Sequence, residues 1–270
     1  MSDTAPNLSD RLIAPAKALC WRELIRFVRQ RNRLIGALAT PIVFWLFIGA
    51  GMGRSFRSDS PGVQNFMVYF FPGTLAMILL FTAIFSTISI IEDRREGFLQ
   101  SVLVAPISRL AIVLGKVLGG TILATGQGIL FLLLAPLIGV HLTVLSFLIA
   151  IVVMLLVSFA LTALGFCIAW RMSSTQGFHV IMNLFLMPMW FLSGSLFPAD
   201  GAQRGLRWIM RLNPLTYGVA ALRRALYLND AARLQLPGWT PCLGISLLFA
   251  IVMIMASVGI AGQRISADYQ

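Results

Sequence analysis

From Val117 to Trp170 no residue is formally charged, and shorter tracts of the same kind recur along the chain. A helix rising about 1.5 Å per residue crosses a hydrocarbon core of about 30 Å in roughly 20 residues, so such tracts are long enough to span a bilayer. Marking them off by their lack of Asp, Glu, Lys and Arg predicts six spans, at about residues 34–53, 69–91, 113–135, 143–170, 178–197 and 241–262. Pro136 and His141, in LLLAPLIGVHLTV, place a turn inside the longest tract and divide it into two crossings. Composition agrees: the chain is 58% hydrophobic and 11% charged, whereas soluble domains carry about 25% charged residues. Mean hydropathy is +0.86. The expected fold class is an all-α polytopic membrane protein.

A net charge of +11 raises the question of nucleic acid, but arginines that flank apolar spans are explained by the positive-inside rule, and no nucleic-acid partner is expected. Arg11, Lys17, Arg22, Arg26, Arg29, Arg31 and Arg33 precede the first span, while only Arg54 and Arg57 follow it closely. That asymmetry predicts cytoplasmic N- and C-termini, with the loops at 92–112 and 171–177 also inside. Residues 198–240 run against the rule with Arg204, Arg207, Arg211, Arg223, Arg224 and Arg233, and are therefore expected to be structured rather than free loop. The polar, basic first 33 residues do not read as a secretory signal peptide. Cys20, Cys167 and Cys242 are far apart and are read as small packing residues, without disulfide or zinc spacing.

In LCWRELIRFVRQRNR, Arg22, Arg26, Arg29 and Arg33 recur at helical spacing on one face, with Trp21, Leu24, Ile25 and Val28 on another. This predicts an amphipathic interfacial helix, its cations beside anionic headgroups of the lipid bilayer. Residues 1–33 are accordingly separated from a transmembrane domain over 34–270. Gly115, Gly119 and Gly126 on the third span, and Gly49 with Gly53 on the first, predict close helix packing within the chain. Before the last span, RGLRWIMRLNPLTYGVAALRRALY predicts two short helices broken at Asn213-Pro214, with Tyr217 as an interfacial aromatic. This pair is expected to dip re-entrantly into the outer leaflet or to cover the bundle.

Energy-coupling chemistry is missing from the spans. An ion-driven carrier needs ionisable groups inside its helices, and the chain offers Lys116 and His179 near span ends. Gly115-Lys116 does not fit a phosphate-binding loop, because Val117 follows and no glycine stands five residues earlier. Ser193-Gly194-Ser195 lacks an activating base, and its serines are read as satisfying backbone groups. His141 and His179 form no metal motif. No catalytic residue, metal or cofactor is expected on this chain, so its driving force must come from a partner on the cytoplasmic side.

The densest charge cluster is EDRRE, Glu92, Asp93, Arg94, Arg95 and Glu96, at the end of the second span. It opens a short predicted helix in which Phe98, Val102 and Ala105 share a face beside Leu99 and Leu103, and which Pro106 stops. Glu92, Asp93 and Glu96 suit a helix N-terminus, where the macrodipole favours anions. Gly97 is expected to allow close backbone approach.

The stretch EDRREGFLQSVLVAPISRLAIVLGKVLG resembles the region after the second span of ABC-2-type transporter permeases, at Glu92, Glu96, Gly97, Leu99, Leu103, Pro106, Gly115 and Lys116. NPLTYGVAALR, Asn213 to Arg223, is similar to the family's pattern before the last span, and RQRNR followed by Pro41 is a third match. Phe98 and Gln100 depart from it, standing where the family often has threonine and glutamate.

The resemblance implies a permease subunit that acts in export, here expected in a bacterial inner membrane; the apolar faces carrying Met182, Phe185, Met187, Met189 and Phe191 suit an amphipathic, lipid-linked or drug-like substrate. It implies two copies of an ABC ATP-binding subunit, which hold ATP and Mg, and a second permease chain, here expected as a homodimer. Residues 92–106 would then be a coupling helix seated on the ATPase, with the interfacial helix contributing to the same surface. A non-transporting membrane scaffold is the alternative reading.

Overall fold

The computed structural model describes residues 8–52, 66–198, 201–228 and 236–263. Gly53, Arg54, Arg57 and Arg233 lie outside the described residues, as do the side chains of Arg11, Arg31 and Arg33. All regular structure among the described residues is helical: α1 (Leu8–Arg29), α2 (Arg31–Met52), α3 (Phe66–Ser86), α4 (Ile88–Arg95), α5 (Phe98–Val104), α6 (Arg109–Leu132), α7 (Val144–Trp170), α8 (Thr175–Trp190), α9 (Arg204–Leu212), α10 (Pro214–Leu226) and α11 (Trp239–Gly262). A 3-10 turn, Ala135–Ile138, follows α6, and a π-helical turn, Phe191–Ser195, follows α8. Among the described residues six helical stretches are long and apolar enough to cross a membrane: Ile35–Met52, Phe66–Arg95, Arg109–Ile138, Val144–Trp170, Thr175–Ser195 and Trp239–Gly262.

α3 is the buried centre. Phe70, Phe71, Leu75, Ile78, Leu79, Leu80 and Ile84 are fully enclosed, packed by α2, α6, α7 and α10. Phe71 stacks on Phe131 with centroids 4.6 Å apart, and Trp45 meets both rings edge-on. Its indole N–H donates to the Met67 carbonyl at 3.1 Å. Glycines set the closest approaches. A Cβ at Gly73 would lie 2.7 Å from Ser195 Cβ, and one at Gly115 would lie 2.7 Å from Leu19 Cβ.

The predicted small-residue face of the third span thus receives α1. Gly115 meets Leu19 and Ala16, and Gly119 meets Glu23, while Gly126 faces nothing within 4 Å. Gly49 meets the side chain of Met67. α1 is also longer than the basic stretch suggests and ends at Arg29, with Gln30 alone between it and α2. Ile13, Trp21 and Val28 stand exposed along it, whereas Ala16, Leu19, Glu23 and Phe27 are buried.

Candidate functional site

Backbone geometry explains how the EDRRE cluster is presented. α4 carries on from α3 past Thr87, and its last turn contains Glu92, Asp93, Arg94 and Arg95. The chain then reverses at Gly97, whose φ of 76° is a left-handed conformation that costs glycine nothing. α5 follows and ends at Val104, capped by Ala105, which is extended as residues before proline are. Ser108 restarts the helix by accepting the Ala111 N–H at 3.1 Å. The three acids therefore sit at the end of a span rather than at a helix N-terminus, against the sequence expectation and against the macrodipole. A Cβ at Gly97 would meet nothing within 4 Å, so within this chain the glycine serves the turn and not a close approach.

What offsets the dipole is a set of cations from two other helices. Arg22 on α1 grips both Asp93 oxygens, at 2.7 and 2.9 Å. Arg26 donates to Asp93 at 2.6 Å, to Glu92 at 2.9 Å and to Glu96 at 3.2 Å. Lys116 on α6 donates to Glu23, to Asp93 and, at 3.2 Å, to Ser89. Asp93 is fully buried, and Glu23 and Lys116 are 5% exposed each. The bidentate bond to Asp93 raises the Arg22 guanidinium above its ordinary pKa, and the same group lies 3.7 Å over the Phe98 ring. Ions this deep are tolerated only when paired and hydrogen-bonded, and here α1, α4 and α6 are joined by them.

The two arginines of the cluster turn the other way. Arg94 donates to the Trp170 carbonyl and, at 3.2 Å, to that of Met172. Arg95 donates to Ser173 at 3.0 Å. Arg94 thus caps the carbonyl end of α7, where cations are favoured, and Arg95 holds the turn that follows it. Arg109 caps α11 in the same way through Ala261, at 2.8 Å. The five-residue cluster is thus a junction: its acids hold α1 and α6, and its arginines hold the end of α7 and the turn after it.

This geometry corrects the interfacial-helix expectation. Arg22 and Arg26 are engaged by carboxylates of their own chain rather than by headgroups; Arg29 is exposed, and Trp21 keeps its place on the opposite, exposed face. On α5, Leu99 is turned inward at 2% exposure, Leu103 is half-buried, and Phe98 and Val102 pack beside them. Ala105 lies off the helix and is exposed, with Pro106, Gln100 and Ser101. Val104, at 87% exposure, is the apolar residue most open to an approaching surface. Glu23 and Val104 are absent from the sequence-based site. Glu23 had a signal: Lys116, inside an apolar span, requires a carboxylate, and Glu23 is the lone acid in LCWRELIRFVRQRNR.

The other end of the bundle is organised around broken helices. Pro72 in α3 has no N–H for the Val68 carbonyl, and the Tyr227 hydroxyl donates to that oxygen at 2.7 Å. After Pro188, α8 ends in the π turn, where Gly194 has φ 78°. Carbonyls freed there are taken up one by one. Asn213 Nδ2 donates to Met189 at 2.6 Å, the Ser193 hydroxyl to Trp190 at 2.6 Å, Thr216 to Leu192 at 3.3 Å and Arg223 to Gly194 at 3.2 Å. Asn213 also caps α10, accepting the Leu215 N–H at 3.0 Å, with Pro214 in the first turn. Tyr217 donates to the Arg211 carbonyl at 2.9 Å. Arg223 is 7% exposed and lies 4.3 Å over the Tyr69 ring. Among the described residues no group of three or more His, Cys, Asp or Glu is placed to hold a metal ion.

Comparison with known proteins gives this arrangement a context. The model of the family described as ABC-2 type transporter matches residues 15–227. The chain is 25% identical over 240 residues to a protein of Cyanophora paradoxa named as a transport permease, ycf38, covering 87% of this chain and 83% of that one. It is 28% identical over 236 residues to nodulation protein J of Sinorhizobium fredii, covering 86% of each. A protein of Escherichia coli K12 named as a multidrug ABC transporter permease, YbhR, is 27% identical over 168 residues, covering 60% of this chain and 44% of that one.

Proposed function

Because the chain belongs to the ABC-2 type transporter family, and is thus a multi-pass transport permease subunit of an ABC transporter, we propose that it exports an amphipathic, lipid-linked or drug-like substrate with energy from a separate ATP-binding subunit. The observation that carries this reading is the junction at Asp93. A segment that leaves the second span, reverses at Gly97 and exposes Gln100, Ser101, Val104 and Pro106 is tied by buried ion pairs to α1 and α6 and by the Arg94 cap to the end of α7. A push on that surface passes through the Gly97 turn into α4 and from there reaches three further helices. Coupling of this kind requires that the motor's nucleotide states make different contacts with the permease.

The roles divide by exposure. Glu96, Gln100, Val104 and Pro106 meet the ATP-binding subunit, while Asp93, Leu99 and Lys116 transmit what those contacts receive. Two ATP-binding subunits and a second copy of this chain complete the assembly in a bacterial inner membrane, with both termini and the junction in the cytoplasm. ATP and Mg belong to the partner, and this chain is the non-catalytic subunit. Support for an apolar cargo comes from α8, where Phe185 is 63% exposed, and from the relative named for multidrug transport. Met182 does not share that face, since it is buried in the core.

Val104→Glu and Glu96→Arg test the reading. Each changes an exposed side chain, so folding is expected to survive, while co-purification of the ATP-binding subunit and ATP-dependent transport into inverted vesicles are expected to fall at least about tenfold, as loss of a central interface contact does. Normal assembly with normal transport in both variants would remove the proposal.

A further inference from the structure

With Arg22 and Arg26 engaged internally, Lys17 and Arg29 are the described cations of α1 that face outward with no carboxylate partner among the described residues, and Lys17 is the one that borders an apolar groove. It stands on the rim of a groove of about 350 Å³ between α1 and α6. Leu12, Ile13, Cys20, Leu118 and Ile122 line its walls. Ile13, Leu118 and Ile122 are 63%, 39% and 46% exposed. The volume falls in the range of about 300–1,000 Å³ typical of small-ligand sites.

We propose that this groove holds an acyl chain of an anionic phospholipid from the surrounding bilayer, with the headgroup phosphate on Lys17. Two properties select that occupant. The walls are hydrocarbon, so burying an alkyl chain there satisfies them as a soluble anion could not. The single unpaired ammonium at the rim matches a phosphate and gains about fivefold in affinity over a neutral headgroup, the effect of one lysine near a charged membrane surface. Nothing in this proposal depends on coupling to ATP, and its test leaves transport aside. The bound chain would wedge between α1 and α6 on the flank of the Lys116–Glu23 pair, where lipid composition can bear on the junction.

Native mass spectrometry of the purified chain, delipidated and then exposed to equal phosphatidylglycerol and phosphatidylcholine, reads the site directly. The wild-type chain is expected to retain one phosphatidylglycerol with about fivefold preference. Lys17→Gln is expected to erase the preference while keeping lipid, and Cys20→Phe, which fills the groove, to displace both lipids. A wild-type chain without headgroup preference, or retention unchanged in both variants, would overturn the proposal. So would protection of the groove by a second protein chain in lipid-free preparations.

Discussion

Lys116 is the residue on which the junction turns, because its ammonium is the shared partner of two carboxylates from different helices. Removing it leaves Glu23 and Asp93 buried with less positive charge, and breaking a buried pair in this way costs about 3–5 kcal/mol. Lys116→Met is therefore expected to lower the unfolding midpoint in detergent strongly, and Lys116→Arg much less; equal melting of Lys116→Met and wild type would contradict the pairing. Tyr227 at the opposite end presents a simpler case. Its hydroxyl satisfies the carbonyl that Pro72 leaves open, so Tyr227→Phe should cost about 1–3 kcal/mol, the penalty of an unmet buried acceptor. Burial also raises the Tyr227 phenol well above its ordinary value of 10.0. The unfolded chain ionises first, so the stability due to the neutral phenol is complete below pH 10 and is lost as pH rises through the folded value. Comparing alkaline absorbance titrations of wild type and Tyr227→Phe checks this: the missing phenolate signal should belong to the last part of the curve.

At the scale of elements, α1 is held to α6 by the absence of side chains as much as by charge. Gly119 abuts Glu23, and a Cβ there would lie 2.8 Å from the Glu23 Cβ. Gly119→Val should lift α1, lengthen the Lys116–Glu23 contact and expose Cys20, at an overpacking cost of about 1–3 kcal/mol; maleimide labelling of Cys20 that is no faster than in wild type would count against it. The spans were readable because each is a long apolar run, and the turn at Pro136 and the break at Asn213-Pro214 because proline and asparagine dictate them locally. The destinations of the arginines were not. Arg22 and Arg26 lie on one face of a basic amphipathic helix whether they meet lipid or Asp93, and the choice depends on a residue about seventy positions away. The helix end at which the acids lie is likewise left open by the local sequence. EDRRE before Gly97 fits either a helix start or a helix end, and only the left-handed turn at Gly97 decides.

For the whole molecule, charges that the positive-inside rule assigns to one side do gather at one end of the bundle, where the α4–α5 segment meets α1, the start of α6, the end of α7 and the end of α11. The second end is built instead from proline breaks and their caps, with Arg223 buried among carbonyls and the Tyr69 ring. The bundle thus has one end cross-braced by buried ion pairs and one end of interrupted helices whose freed carbonyls are capped by side chains. The most direct test is site-specific cross-linking from Val104→Cys carrying a benzophenone, in membranes that contain the complete transporter. The predicted result is an adduct with the ATP-binding subunit whose yield changes between nucleotide-free and ATP-trapped states. Absence of that adduct, together with labelling of Val104→Cys by an impermeant thiol reagent from the side opposite the ATP-binding subunit, would contradict it.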